Sequence, residues 1–491
     1  MFKPIFLLFV LFSAAYSPHL SAQNKPFTSQ LYETYENYKE ASLQHRRIKY
    51  SDLQPLINKL KSNPKYVISK VGTSVQGRDL QLISIGKGPT QIFLWSQMHG
   101  NEPTATQAIF DIINFFNSNQ FQTEKKEILN RVSIHFLPML NPDGAQVYQR
   151  RNALDIDINR DAVRLQSPEA QTLKRVRDSL RADFGFNLHD QSIYYNAERT
   201  HKPATISYLA PAYNYDKDIN EVRANAMKII VYMNRIIQKY AKGQVGRYND
   251  DFEPRAFGDN IQKWGTSTIL IESGGYQNDV EKQEIRKLNY VSILSAIYAI
   301  ANEGFKNIAV DDYEKIPHND RKLFDLKLEK VTYTLDNKNY SMDIGIDRTE
   351  IDNATHTNFY DLGKVDDVGD LSTYYGYEEL DASNYTLVAG KVYPKRFKSI
   401  KDLASLNIYT LLQSGYTYIR VKKLPKGQKY WNKPIILIGK KRPIRPFELK
   451  IGHKATFLLK SDNQIKFAVI NGFLIDLSKS KNNFNNALIL R

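Results

Sequence analysis

Ile92-Phe93-Leu94-Trp95-Ser96-Gln97-Met98-His99-Gly100-Asn101-Glu102 sets the architecture of the chain around it. The apolar run from Ile92 to Met98 reads as a buried strand, and it stops abruptly in polar residues. Downstream, Ala105, Ala108, Ile109, Ile112, Ile113 and Phe116 fall on one face of a helix. The same alternation then repeats. Val132 to Leu140 reads as a strand, and a helix opens at Ser167, whose hydroxyl can cap it while Pro168 fits the first turn. Phe184 to Leu188 and Thr266 to Ile271 read as strands, with helices over Ile219 to Tyr240 and Val280 to Ala301. From about Gln91 to Glu303 this is the signature of an α/β domain.

Past Ile308 the helical period fades, and β-rich runs such as Lys330 to Leu335, Tyr385 to Val392, Tyr416 to Val421 and Pro434 to Ile438 take over. With 491 residues the chain is too long for one ordinary core. The expected division is a signal peptide over 1–22, an α/β domain over 23–305, a β-rich module with an acidic stretch over 306–395 and a basic β-rich module over 396–491. Lys3 ahead of the apolar run from Ile5 to Ala15, with small residues at Ser21 and Ala22, carries the first of these. Leu20 stands where a small residue is usual, which leaves a retained anchor open. No other segment reads as transmembrane, and the location implied is secreted or periplasmic.

Composition narrows the chemistry. With 42% hydrophobic and 24% charged residues the chain is globular. It has no cysteine, which excludes disulfides, a thiol nucleophile, thiolate metal sites and lipid attachment at a cysteine. A transition metal must then use His and carboxylate ligands. The net charge of +16 is localised: from Arg396 onward there are 20 Lys/Arg against 4 Asp/Glu, which matches the whole excess. Two readings stand for that tail, solvated faces or a module gripping an anionic envelope polymer. No nucleic-acid motif accompanies the charge.

In open α/β sheets the ligand crevice lies beyond the carboxyl ends of the strands. Here four strands end in His99-Gly100-Asn101-Glu102, Asn141-Pro142-Asp143-Gly144, His189-Asp190 and Glu272-Ser273-Gly274-Gly275. His99 and Glu102, three apart, can point the same way in a tight turn and share one metal ion, although H-x-x-E alone is also an ordinary surface turn. His189 alone would more often be a satisfied core histidine. Together the three make a His2Glu set, which leaves zinc an open position. Glu272, closing an apolar strand, can act as a base or sit in an ion pair. Arg150, Arg151, Asn152, Asn159 and Arg160 offer groups that fork onto carboxylates or carbonyl oxygens.

In order, HGNE, NPDG, RRNxxDIDINRD, NLH and ILIE resemble the motifs of the zinc carboxypeptidase family over roughly Tyr50 to Glu303. The resemblance implies a mixed, twisted sheet of about eight strands between helices. It implies one zinc per chain, held by His99, Glu102 and His189. Glu272 is implied as general base, Arg150 as the group polarising the scissile carbonyl, and Asn159 with Arg160 as the anchor of the substrate's terminal carboxylate. Two departures stand out. Asp161 replaces the Asn that closes the family's arginine motif, which adds negative charge beside the anchor. Tyr248 lies near the spacing of the family's substrate-capping tyrosine, and Asp250, Asp251, Glu253 and Arg255 follow it, a mixture that names no side-chain preference.

The implied activity is removal of C-terminal amino acids from peptides outside the cytoplasm. Alternatives are a zinc-dependent deacylase of acyl amino acids, a cell-wall peptide amidase, and an inactive peptidase-like protein that binds the envelope.

Overall fold

The computed structural model describes residues 25–479, 484 and 486–491, so the expected signal peptide over 1–22 lies outside the described residues. Ile92, Phe93, Leu94 and Trp95 are all fully buried, and the reason is two-sided packing. Successive strand residues face opposite ways. Phe93 and Trp95 enter one core cluster, Ile92 and Leu94 another on the opposite face. An unbroken apolar run is what such a strand requires.

That strand is one of eight in a mixed sheet. In chain order the strands are β1 (Tyr66–Thr73), β2 (Asp79–Gly86), β3 (Thr90–Ser96), β4 (Val132–Leu137), β5 (Phe184–Asp190), then β6 (Tyr195–Ala197) outside the sheet, β7 (Ile206–Leu209), β8 (Val245–Arg247) and β9 (Ser267–Ser273). The spatial order is β1-β2-β4-β3-β5-β9-β7-β8, with β4, β3, β5 and β9 mutually parallel. The helices are α1 (Phe27–Glu33), α2 (Tyr50–Lys61), α3 (Thr104–Asn117), α4 (Gln122–Arg131), α5 (Pro142–Gln146), α6 (Pro168–Leu180), α7 (Glu221–Ile237), α8 (Phe257–Lys263) and α9 (Gln283–Ala301). Apolar side chains of α3, α7 and α9 pack on one face, and those of α6 and α8 on the other. At the start of α6, Ser167 Oγ accepts from Ala170 N at 3.3 Å and Pro168 occupies the first turn, as its sequence predicts.

The ends of the strands differ from the sequence expectation in a way that matters. β3 stops at Ser96 because Gln97 adopts a left-handed conformation (φ 52°), so His99 lies on a turn three residues past the strand. β5 and β9 instead run on through His189 and Glu272, which pair in register as neighbours.

The C-terminal region opens with β10 (Asn319–Arg321), which pairs β6, and continues through β11 (Leu323–Leu335), β12 (Lys338–Asp352), β13 (Phe359–Gly369) and β14 (Tyr375–Asp381). A boundary at residue 395 does not separate two sheets. The sheet containing β11, β12 and β13 recruits strands from 457 to 476, while 391–399, 416–423, 430–431, 436–439 and 487–490 build a five-stranded sheet. Alternating runs mark strands without naming partners, and the chain returns to its earlier sheet after leaving it. This region is fastened to the α/β domain by ion pairs from the buried Arg47 to Glu350 (2.8 Å) and Asp352 (2.9 Å). Among the described residues no helix is long and apolar enough to cross a membrane.

Candidate active site

The HGNE and NPDG turns meet backbone to backbone. A Cβ on Gly100 would stand 2.1 Å from the carbonyl carbon of Gly144, so neither turn could approach the other around a side chain. Asn141 caps α5 by accepting from Gly144 N (2.9 Å), and its Nδ2 donates to Arg150 O (3.2 Å), which fixes the segment leading into the arginine motif. Asp143 is absorbed structurally by Ser74, Gln76 and Arg78.

On this frame His99, Glu102 and His189 converge, each offering a ligand atom within 4.8 Å of the others. The two imidazoles face one carboxylate: His99 Nδ1 lies 2.8 Å from Glu102 Oε1, and His189 Nδ1 lies 2.8 Å from Glu102 Oε2. All three residues are buried. Burial raises the cost of the Glu102 charge, but the His99 charge and the bonds from both histidines hold its carboxyl well below the usual range. Burial alone would depress both imidazoles, and for His189 it does. At His99 the charge of Glu102 and the bond to Asp157 outweigh burial and raise the pKa. Two imidazole nitrogens and a carboxylate aimed inward at one point suit a cation, because a metal replaces the protons otherwise needed between them. Asp157 supports the arrangement: its Oδ1 bonds His99 Nε2 (3.0 Å), fixing the tautomer that directs Nδ1 into the cluster.

Arg150 spans the outer edge. Its Nη1 stands 3.1 Å from His99 Nδ1 and 3.3 Å from Glu102 Oε1, while Nε donates to Asp157 Oδ2 (3.0 Å). Its side chain is 44% exposed, so a guanidinium faces the cleft beside the cluster. Glu272 is half-buried, and its Oε2 has no hydrogen-bond partner among the described residues. Burial, then the charges of Glu102 and Asp190, push its pKa well above the usual carboxylate range. Such a carboxylate is equipped to take up a proton.

The remaining expected residues surround this centre. Asn159 Oδ1 accepts from Phe257 N (2.9 Å) at the start of α8. Arg160 Nε pairs with Glu253 Oε2 (3.3 Å). Asp161 is turned away: it is buried and accepts from Gln166 N, Ser167 N and Ser167 Oγ at 2.8 to 2.9 Å, so its charge is spent on the start of α6. Tyr248 follows β8 with its ring 6.0 Å from Tyr195, and burial, together with the Glu272 charge, raises its pKa.

Five neighbours have roles that their sequence positions do not show. Asp157 lies inside the quoted DIDINRD run, where three other charged residues, Asp155, Arg160 and Asp161, hide it. Asp190, beside His189, is paired with Lys282 (3.1 Å), and Lys282 Nζ also donates to Ser273 O (2.8 Å), tying the ends of β5 and β9 to α9. Tyr195 opens the three-residue β6 and Glu253 lies in the loop before α8, and neither carries a periodic signal.

Residues 54–179 match the family model described as zinc carboxypeptidase. Carboxypeptidase SOL1 from Arabidopsis thaliana is 27% identical over 26% of this chain and 29% of its own length. A probable carboxypeptidase 2 from Arthroderma benhamiae is 30% identical over 26% of this chain and 24% of its own. The matched part thus spans about a quarter of each of these curated relatives. A solved metallo-carboxypeptidase from Burkholderia cenocepacia aligns over 52% of this chain and 69% of that one, with 14% identity and a TM-score of 0.42. The family match covers the turn that carries His99 and Glu102 and the loop that carries Arg150 and Arg160, so over residues 54–179 this chain is similar to the zinc carboxypeptidases.

Proposed function

We propose that this chain is a zinc metallocarboxypeptidase that removes the C-terminal residue from peptides outside the cytoplasm. The observation that carries the reading is the convergence of the His99–Glu102–His189 cluster, the Arg150 guanidinium and the partnerless Glu272 Oε2 at the ends of neighbouring strands. His99, Glu102 and His189 would hold zinc, since a His2Glu set without thiolate suits its tetrahedral preference. Bound there, zinc supplies Lewis-acid polarisation of the scissile carbonyl and of the attacking water.

The chain's own groups do the rest. Glu272 Oε2 takes a proton from the attacking water and returns one to the leaving amine. Arg150 presents N–H donors where negative charge develops on the carbonyl oxygen. Asn159 and Arg160 receive the terminal carboxylate, and Tyr248 covers the bound chain end. Asp157 is a positioning residue that acts through His99. The apolar N-terminal segment from Ile5 to Ala15 is the support for export.

The purified protein incubated with a peptide library should shorten chains by single residues from free C-termini. Dialysis against a chelator should abolish this, and stoichiometric zinc should restore it. Internal cleavage, or activity indifferent to the chelator, would sink the proposal.

A further inference from the structure

Three loops that leave the site also carry the C-terminal region. Directly after β5, Gln191 Oε1 accepts from Asn319 Nδ2 of β10 (2.9 Å), and β10 then pairs β6. Between them Ile193 O accepts from Tyr377 Oη of β14 (2.5 Å), and Tyr194 Oη donates to Asp325 Oδ2 of β11 (2.7 Å). After β9, a Cβ on Gly275 would stand 2.0 Å from Tyr377 Oη, so this loop is pressed against the same phenol. Farther along it Glu281 meets Arg46, which is bound in turn to Glu350 of β12. The third loop leads to Arg150: Tyr148 is covered by the Arg47 guanidinium (4.2 Å), which also lies over Phe359 of β13 (3.9 Å).

These contacts lie on one side of the cleft. Asn159 and Arg160 stand toward the α6 and α8 face, where Asn159 bonds the start of α8. The loop from Gly275 to Glu281 leads into α9, on the opposite face with α3 and α7. A peptide with its carboxylate at Arg160 and its scissile carbonyl at Arg150 points its remaining residues at β10–β14. The appendage is met within four residues of His189 and within three of Glu272. Four residues of extended chain reach at most about 14 Å, so the space beyond the cluster holds no more than about four substrate residues.

From this we infer that β10–β14, braced by Arg46 and Arg47, form the far wall of the cleft and restrict the enzyme to short peptides of up to about four residues. The inference rests on the peptidase reading above and adds the length of the substrate. It makes the C-terminal region part of the site, with Tyr377 as the specificity-determining residue where two of the loops meet.

The test is kcat/KM for a series of peptides of two to twelve residues sharing one C-terminal pair. It should fall at least tenfold between the four- and eight-residue members, and the eight-residue peptide should compete poorly against turnover of a tripeptide. Tyr377→Ala should raise the octapeptide-to-tripeptide ratio, while Tyr377→Phe, which keeps the ring, should leave it low. The competition measurement on the unaltered chain decides the matter even where Tyr377→Ala fails to fold. Rates flat or rising with length, or strong competition by the octapeptide, overturn the wall and leave the peptidase reading standing. No turnover at any length overturns both.

Discussion

Around His99 and His189 the polar atoms are buried and bound mostly to one another, whereas around Arg160 the charged groups face solvent and hold each other loosely. At the proposed metal end, Glu102 takes both imidazoles at 2.8 Å and Asp157 locks one of them from behind. At the proposed anchor end, Arg160 and Glu253 meet at 3.3 Å with side chains 37% and 31% exposed. Buried electrostatics are strong and slow to rearrange, while exposed pairs contribute little and are screened. Losses at the first end should therefore appear in turnover, and losses at the second in recognition.

Glu272→Gln is the largest expected effect. The substitution keeps size and removes the proton acceptor, so kcat should drop by roughly a hundredfold to ten-thousandfold while KM moves far less. Zinc content by elemental analysis should stay at one per chain, because among the described residues Glu272 Oε2 has no hydrogen-bond partner, whereas Glu102 takes both imidazoles. Loss of zinc in this variant would assign Glu272 to coordination and erase the contrast between the two ends.

The same contrast explains what the sequence made legible. His99, Glu102, His189 and Glu272 sit at or just past the ends of buried apolar strands, where the change from apolar to polar is abrupt and local. Burial of β5 and β9 on two faces explains their apolar runs, and the parallel register between them sets His189 beside Glu272. Asp157 and the Asp190–Lys282 pair were less visible because their roles arise from partners 58 and 92 residues away. Glu253 lay among mixed charges whose pairing only the fold decides. In the C-terminal region the β-rich character was plain in alternating runs. Strand order was not, since residues 457–476 rejoin a sheet begun at Leu323, and nothing in a strand's own residues names so distant a partner. The contact of that region with the site was hidden for the same reason: Tyr377 reads as one more strand tyrosine.

Arg160→Ala should act on recognition. A guanidinium that receives a terminal carboxylate distinguishes the free acid from the amide, and a charged hydrogen bond contributes about 1.5 to 3 kcal/mol. Partial exposure puts Arg160 at the lower end, so the acid-to-amide ratio of kcat/KM should fall about tenfold. Zinc content should be unaffected. A ratio unchanged from the unaltered chain would move the anchor away from Arg160.

The smallest effect concerns Glu253, and its sign is what matters. Its carboxylate holds Arg160 Nε through Oε2, while Arg255 binds Oε1 and Oε2 at 3.1 and 3.2 Å. The Arg255 and Glu253 side chains keep this pair whether or not Arg160 is engaged, so an arriving carboxylate competes with Glu253 for one edge of the guanidinium. Neutralising that competitor in Glu253→Gln should lower KM for free-acid peptides and leave kcat alone. An exposed pair is worth at most about 1 kcal/mol, which limits the decrease to about fivefold. The gain should shrink as salt rises, because the repulsion it relieves is screened over about 8 to 10 Å at ordinary ionic strength. If KM rises instead, Glu253 orients Arg160 for the substrate, and the anchor end is as preorganised as the metal end after all.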